Sequence, residues 1–227
     1  MSTPRILFVL TSQHTLGDLA HPTGFWHEEL SAPWWALRDA GFQVDLVRIG
    51  PKPAVADPAS LTDDFRTAAV NRFLADTAST QALAEAPVLS DLPPADYAAV
   101  YLVGGHGAMW DFPANPSLQA LLQHQLAHDG LIAAVCHGVA GLLNLGADLK
   151  GRILCGFSNE EEQMAGASAV VPFMLESVLR EAGAHYQGAP AFHSNVMQDG
   201  LLITGQNPQS SAALGEALLK ALSTRTA

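Results

Sequence analysis

Apolar positions along the chain fall into two alternating patterns. Short, near-continuous runs of branched and aromatic residues read as buried strands: RILFVL (5–10), YAAVYLVGG (97–105), LIAAVC (131–136), GRILCGF (151–157) and GLLITG (200–205). FQVDLVRI (42–49) alternates and reads as a further strand. Between them lie segments with helical spacing at 24–41, 65–77, 117–130, 137–145, 171–183 and 208–222. Pro33 predicts a kink or restart inside the first of these, and Gly130 ends the third. A Pro-rich loop is expected over 50–64. Strand–helix alternation with nearly all-apolar strands predicts one α/β domain over 1–227, a mostly parallel sheet with helices on both faces. Ligands of such sheets sit at the carboxyl ends of the strands. That rule brings YLVGGHGAMWD (101–111) and AAVCHG (133–138) to one edge.

Charge and cysteine content narrow the chemistry. Eleven basic residues against twenty-two acidic ones give a net charge of −11. This argues against a nucleic-acid surface and against docking on an anionic membrane. Two cysteines, Cys136 and Cys155, make neither a disulfide framework nor a zinc ligand set. The apolar run near the N-terminus is too short for a signal-peptide core, and none approaches a membrane span. The expected setting is a reducing cytoplasm in which thiols stay free.

Four stretches carry candidate chemistry. Cys136 stands at a tight strand-to-helix turn, the geometry of a nucleophile elbow with Cys in place of Ser. The helix N-terminus behind it is expected to lower the thiol pKa. His137 follows at once, and Gly138 allows close backbone packing. In GGHGAMWD (104–111), the amides of Gly105 and His106, with that of His137, can form an oxyanion hole. FWHEELSAPWW (25–35) sets Glu28 and Glu29 among three tryptophans. A carboxyl half buried there can hold a proton to share with a thiolate, although Glu28 is expected on a solvated helix face. In GFSNEEEQM (156–164) the three acids read as a helix start with Asn159 as N-cap, or one of them turns inward to orient a histidine. Cys155 is expected in the core.

In this order and spacing, GGHGAMWDFP, AAVCHG, GFSNEEE and DGLLITGQNPQSS resemble the ThiJ/PfpI superfamily, the class I glutamine-amidotransferase-like fold. The chain is most similar to the branch of glutathione-independent glyoxalases (glyoxalase III, D-lactate dehydratase) and holding chaperones. The resemblance implies a flavodoxin-like three-layer sandwich with Cys136 as nucleophile. It implies His137 and Glu162 as the rest of a Cys-His-acid triad, Glu29 as the glutamate touching the nucleophile, and Gly105 and His106 at the oxyanion turn. The expected reaction is methylglyoxal to lactate through a Cys136 hemithioacetal. It would take a small 2-oxoaldehyde, need no cofactor and no metal, and run in a homodimer. Alternatives that share the thiol are a protein or nucleotide deglycase, a peptidase-like or isonitrile-hydratase-like cysteine hydrolase, and a non-enzymatic holdase or redox sensor. The His-x-Glu motif of true amidotransferases is missing, which disfavours glutamine hydrolysis. His14 and His193 have no assigned role.

Overall fold

The computed structural model describes residues 4–92 and 96–226. Its centre is a six-stranded sheet built from β1 (Arg5–Leu10), β2 (Gln43–Arg48), β3 (Ala99–Leu102), β4 (Leu131–Val135), β7 (Val196–Asp199) and β8 (Leu202–Gly205). The strand order is β2-β1-β3-β4-β8-β7, and every pairing is parallel except β7 with β8. β1, β3, β4 and β8 are interior strands with almost no exposed side chain, as their unbroken apolar runs require.

Adjacent residues of β3 show how the two faces are filled. Tyr101 points toward helix α1 (His27–Asp39), where its hydroxyl donates to the carbonyl of Glu29 at 2.8 Å. Leu102 points the other way, against Gly141 of a 3-10 segment, Cys136–Leu149. Leu118 of helix α5 (Pro116–Ala127) packs against the same Gly141. Helix α8 (Ser211–Thr226) packs on α1. The helices therefore cover both faces, as the alternation predicted. Among the described residues, no helix is long and apolar enough to cross a membrane.

Several local expectations change. Pro33 lies inside an uninterrupted α1. Its missing N–H leaves the Glu29 carbonyl, four residues back, without a helical donor; the Tyr101 hydroxyl fills that place. The helix expected over 65–77 is two, α2 (Ala68–Ala75) and α3 (Thr77–Ala84), separated by Asp76, which caps the second. The segment after Cys136 is 3-10 rather than α and breaks at Gly146. GRILCGF contributes only β5 (Ile153–Leu154), paired with β6 (His185–Tyr186) in a separate two-stranded ribbon. Two further helices complete the chain order: α4 (Ala108–Asp111) and α7 (Leu175–Glu181). The N-cap of helix α6 (Asn159–Met164) is Ser158, not Asn159. Ser158 accepts from the Glu161 amide while the Glu161 carboxylate accepts from the Ser158 amide, a reciprocal box that Asn159 is placed one residue too late to make.

Candidate active site

Cys136 leaves β4 with φ +54°, in the left-handed region that a β-carbon disfavours. Such a conformation persists where the surroundings over-determine it. Here β4 is buried on both sides, and Gly138 lets the turn settle onto β3; a β-carbon there would lie 2.5 Å from the Leu102 carbonyl oxygen. The result is an elbow that carries the Cys136 sulfur to the carboxyl end of the sheet.

The sulfur lies 3.3 Å from Nδ1 of His137. His137 Nε2 lies 2.7 Å from Oε2 of Glu162. Burial alone would raise the Glu162 carboxyl, but the two imidazoles around it outweigh that and hold it at about 2. Glu162 is therefore an anion and can only accept, so His137 Nε2 carries the proton and Nδ1 presents its lone pair to the thiol. Burial, with His106 beside it, also pushes the His137 imidazolium down, so the ring is a neutral base near pH 7. Thiol, imidazole and carboxylate thus follow one another as Sγ, Nδ1, Nε2 and Oε2, the arrangement a Cys-His-acid triad requires.

Glu29 closes the other side. It is fully buried beside the Cys136 thiol and the Gly104 backbone, and neither carboxyl oxygen makes a hydrogen bond of good geometry among the described residues. Burial pushes its pKa well up; the neighbouring Cys136 thiol and Gly104 backbone oppose the rise without reversing it. Glu29 accordingly sits in the site as a neutral acid. Gly104 is what admits it, because a β-carbon at that position would lie 2.3 Å from Glu29 Oε2 and 3.0 Å from the Cys136 β-carbon. The thiol is also pushed well up, by burial first and by Glu29 next; the His137 amide at the turn opposes this only in part. The expected lowering of the thiol pKa is thus reversed. One helix-end amide does not offset loss of water around the thiol of a residue that is 3% exposed.

Gly105 and His106 form the turn between β3 and α4, and the turn is fastened to the start of α1. The Trp26 amide donates to the Gly104 carbonyl at 3.0 Å, and the Gly107 amide to the Gly24 carbonyl at 3.3 Å. This zipper brings Glu29 and the Gly-rich turn to one place. The His106 side chain has a place that the sequence did not signal. Its Nε2 lies 2.9 Å from Glu162 Oε1, and its ring is 4.1 Å from that of His137. Glu162 therefore joins two imidazoles, one 1% exposed and one 19% exposed. Phe157 lies 4.4 Å from the His137 ring.

The structure also separates the acids around the site. Of the EEE run, Glu160 faces solvent while Glu161 and Glu162 both turn inward. Glu161 accepts from the amides of Ser158 and Phe192 and from the Asn207 side chain, and holds the loop before β7. Glu28 is half-buried rather than solvated, with the Thr67 hydroxyl donating to it, and burial raises its pKa. Of the tryptophans, Trp34 is core; Trp26, Trp35 and Trp110 are partly buried. His14 lies 2.7 Å from the Pro53 carbonyl oxygen, and exposed His193 contacts the Ala191 carbonyl.

This geometry has relatives. The model of the DJ-1/PfpI family matches residues 19–221. Glutathione-independent glyoxalase HSP31 of Saccharomyces cerevisiae is 30% identical, over 93% of this chain and 94% of its own. Glutathione-independent glyoxalase hsp3101 of Schizosaccharomyces pombe is 30% identical over 87% of each chain. Among solved structures, glyoxalase III from Candida albicans superposes with a TM-score of 0.87 at 26% identity, over 96% of this chain and 97% of its own. The Rapid Encystment Protein 24 KDa of Francisella tularensis superposes with a TM-score of 0.92 at 35% identity, over 97% of this chain and 99% of its own. With its parallel sheet, its elbow at Cys136 and a family match over most of its length, the chain belongs to the DJ-1/PfpI family.

Proposed function

We propose that this chain is a glutathione-independent glyoxalase that converts methylglyoxal to lactate with Cys136 as nucleophile and no cofactor. The observation that carries the reading is a buried thiol 3.3 Å from an imidazole that Glu162 orients, with the buried Glu29 carboxyl on its other side. The names of the relatives supply the substrate class.

The thiol proton passes to His137 Nδ1 as the sulfur adds to the aldehyde carbon, and Glu162 steadies the imidazolium that forms. The aldehyde oxygen takes the proton of Glu29 and becomes the hydroxyl of a hemithioacetal. Glu29, now a carboxylate beside that carbon, removes its C–H proton while the His137 imidazolium protonates the ketone oxygen, giving a neutral enediol. Glu29 then delivers its proton to the neighbouring carbon as His137 takes the proton of the first hydroxyl. The product is a thioester of 2-hydroxypropanoate on Cys136, an isomer of the hemithioacetal. The amides of Gly105, His106 and His137 stabilise the oxyanions along the way. Water then adds to the thioester carbon and gives one proton to Glu29, and the departing sulfur takes the His137 proton, so that lactic acid leaves and the thiol, the neutral imidazole and the protonated Glu29 are restored. No electron acceptor is needed, because one carbon is oxidised as its neighbour is reduced. A reducing cytoplasm and a homodimer complete the proposal.

The test is D-lactate formation from methylglyoxal without glutathione, wild type beside Cys136→Ala and Glu29→Gln. Turnover in the wild type and its loss in both variants is the expected result. Lactate formed equally well by Cys136→Ala overturns the reading.

A further inference from the structure

A second cluster of metal-ligating side chains lies at the far end of α5, apart from the elbow. His124 sits in the last turn of that helix and His128 is its C-cap, so the two are one turn apart. Their rings lie 4.0 Å apart, inclined by 32°. Asp96, just ahead of β3, places Oδ1 3.1 Å from His124 Nε2. One donor atom from each of the three residues lies within 4.8 Å of the other two.

The protonation of His128 can be read from its partner. Its Nδ1 lies 2.8 Å from the His124 carbonyl oxygen, which can only accept. In the neutral ring Nδ1 therefore carries the proton, which leaves the lone pair on Nε2. An imidazole fixed by Nδ1–H on a backbone carbonyl, with Nε2 free, is oriented as metal-binding imidazoles are. The backbone adds to this, because the last turn of a helix carries the negative end of its dipole and favours a cation. Arg225, which donates to the carbonyl of Asp129 next to His128, and Arg5, whose guanidinium lies 5.2 Å from the centre of the Tyr97 ring next to Asp96, act against an incoming ion. The cluster is open to solvent: Asp96 is 85% exposed and His124 33%.

We propose that Asp96, His124 and His128 form a surface site for a divalent first-row transition ion. Two imidazole nitrogens and one carboxylate oxygen suit Ni2+, Zn2+ or Cu2+; Mg2+ and Ca2+ prefer all-oxygen sets. The His124–Asp96 hydrogen bond gives way to a bond from each to the ion, His124 losing its Nε2 proton to Nδ1. Water completes the coordination. Such an ion ties the end of α5 to the segment that leads into β3. This departs from the expectation of no metal and is independent of the reaction proposed for Cys136.

The test is a calorimetric titration of chelator-treated full-length protein with NiCl2 and ZnCl2, with MgCl2 alongside. The expected result is binding of Ni2+ and Zn2+ but not Mg2+. His124→Ala and His128→Ala should each weaken it by about tenfold or more, the scale on which even a group that only orients a ligand contributes. Ni2+ should raise the melting temperature of the wild type and not of either variant. The donor atoms of His106, His137 and Glu162 also lie within 4.8 Å of one another. Binding that is unchanged in both surface variants and lost in His106→Ala overturns the proposal by moving the ion to the elbow. Failure of the wild type to bind either ion also overturns it.

Discussion

The two cysteines make the most instructive comparison in the molecule. Both are free and buried, and each lies just past the end of a strand. Burial raises both thiols, Cys155 to about 12. At Cys155 the sulfur donates to the Thr204 carbonyl at 3.2 Å, and its amide donates to the Thr204 hydroxyl at 3.0 Å. Among the described residues its sulfur meets only carbonyls and a hydroxyl, none of which is a base. At Cys136 the backbone is strained, an imidazole lone pair faces the sulfur, and a protonated carboxyl stands on the other side. The difference teaches that this thiol is not activated by standing ionised. In the mechanism we propose it is stored neutral and hands its proton to His137 at the moment of attack.

The largest expected effect separates the two directly. Cys136→Ala should lower lactate formation by about 10³-fold or more, whereas Cys155→Ala should keep wild-type kcat and lose about 1–2 kcal/mol of stability in urea melts. Comparable activity losses in both would erase the distinction. The next effect divides neighbouring carboxylates. Glu162→Gln should cut kcat by about 10²–10⁴-fold, because an amide that both donates and accepts no longer fixes the proton on His137 Nε2. Glu161→Gln should act on stability, by about 1–3 kcal/mol, because three donors lose a charged acceptor. Chemical melts and initial rates on both variants check the division.

A smaller effect lies at Gly104, whose hydrogen atom faces Glu29. Gly104→Ala forces a β-carbon against Glu29 Oε2 and the Val135 carbonyl. It should cost about 1–3 kcal/mol of stability, and the folded fraction should turn over more slowly because the proton-holding carboxyl is displaced.

The last prediction moves from the site to a buried imidazole outside it, His27, and reads stability against pH alone. His27 is closed in by Phe25 and Phe73 with Ser31 on Nδ1, and burial lowers it to about 4. The folded-state pKa lies below the unfolded value of 6.5, so the unfolded chain binds more protons between those limits. Stability from neutral His27 is whole above about pH 6.5 and declines as pH falls toward about 4, by about 3 kcal/mol at most. Asp111, raised by burial to about 6, acts in the opposite direction: its contribution falls as pH rises from about 4 through 6. The difference between wild type and His27→Gln in melts at pH 7 and pH 4.5 isolates the histidine. A constant difference would mean that His27 is not buried neutral.

Much of the site was legible in the residues because its parts are local. The elbow follows from a buried strand that runs straight into Cys-His-Gly. Glu29 is named by the family resemblance, in a stretch where two carboxylates stand beside three tryptophans. Harder to read were β6 and β7, which are two and four residues long and carry polar side chains such as His185, Gln198 and Asp199. Strands that short have too few positions for alternation to register. The His106 side chain was also missed, because a Gly-His-Gly turn signals backbone approach and says nothing of where an imidazole points.

The amino-acid sequence by itself determined the alternation of strands and helices, and with it the parallel sheet and the edge where Cys136 emerges. Those follow from periodicity within ten or fifteen residues, which burial of apolar faces enforces. Only the tertiary structure decided that Glu161 and Glu162 divide two tasks, that one carboxylate serves both His106 and His137, and that Glu29 and Cys136 are both dehydrated and protonated. Each of these depends on groups 25 to 107 residues apart in number meeting in a space without water. The energy of such a meeting is set by the surrounding dielectric and the available partners, and neither is written in any local stretch of the chain.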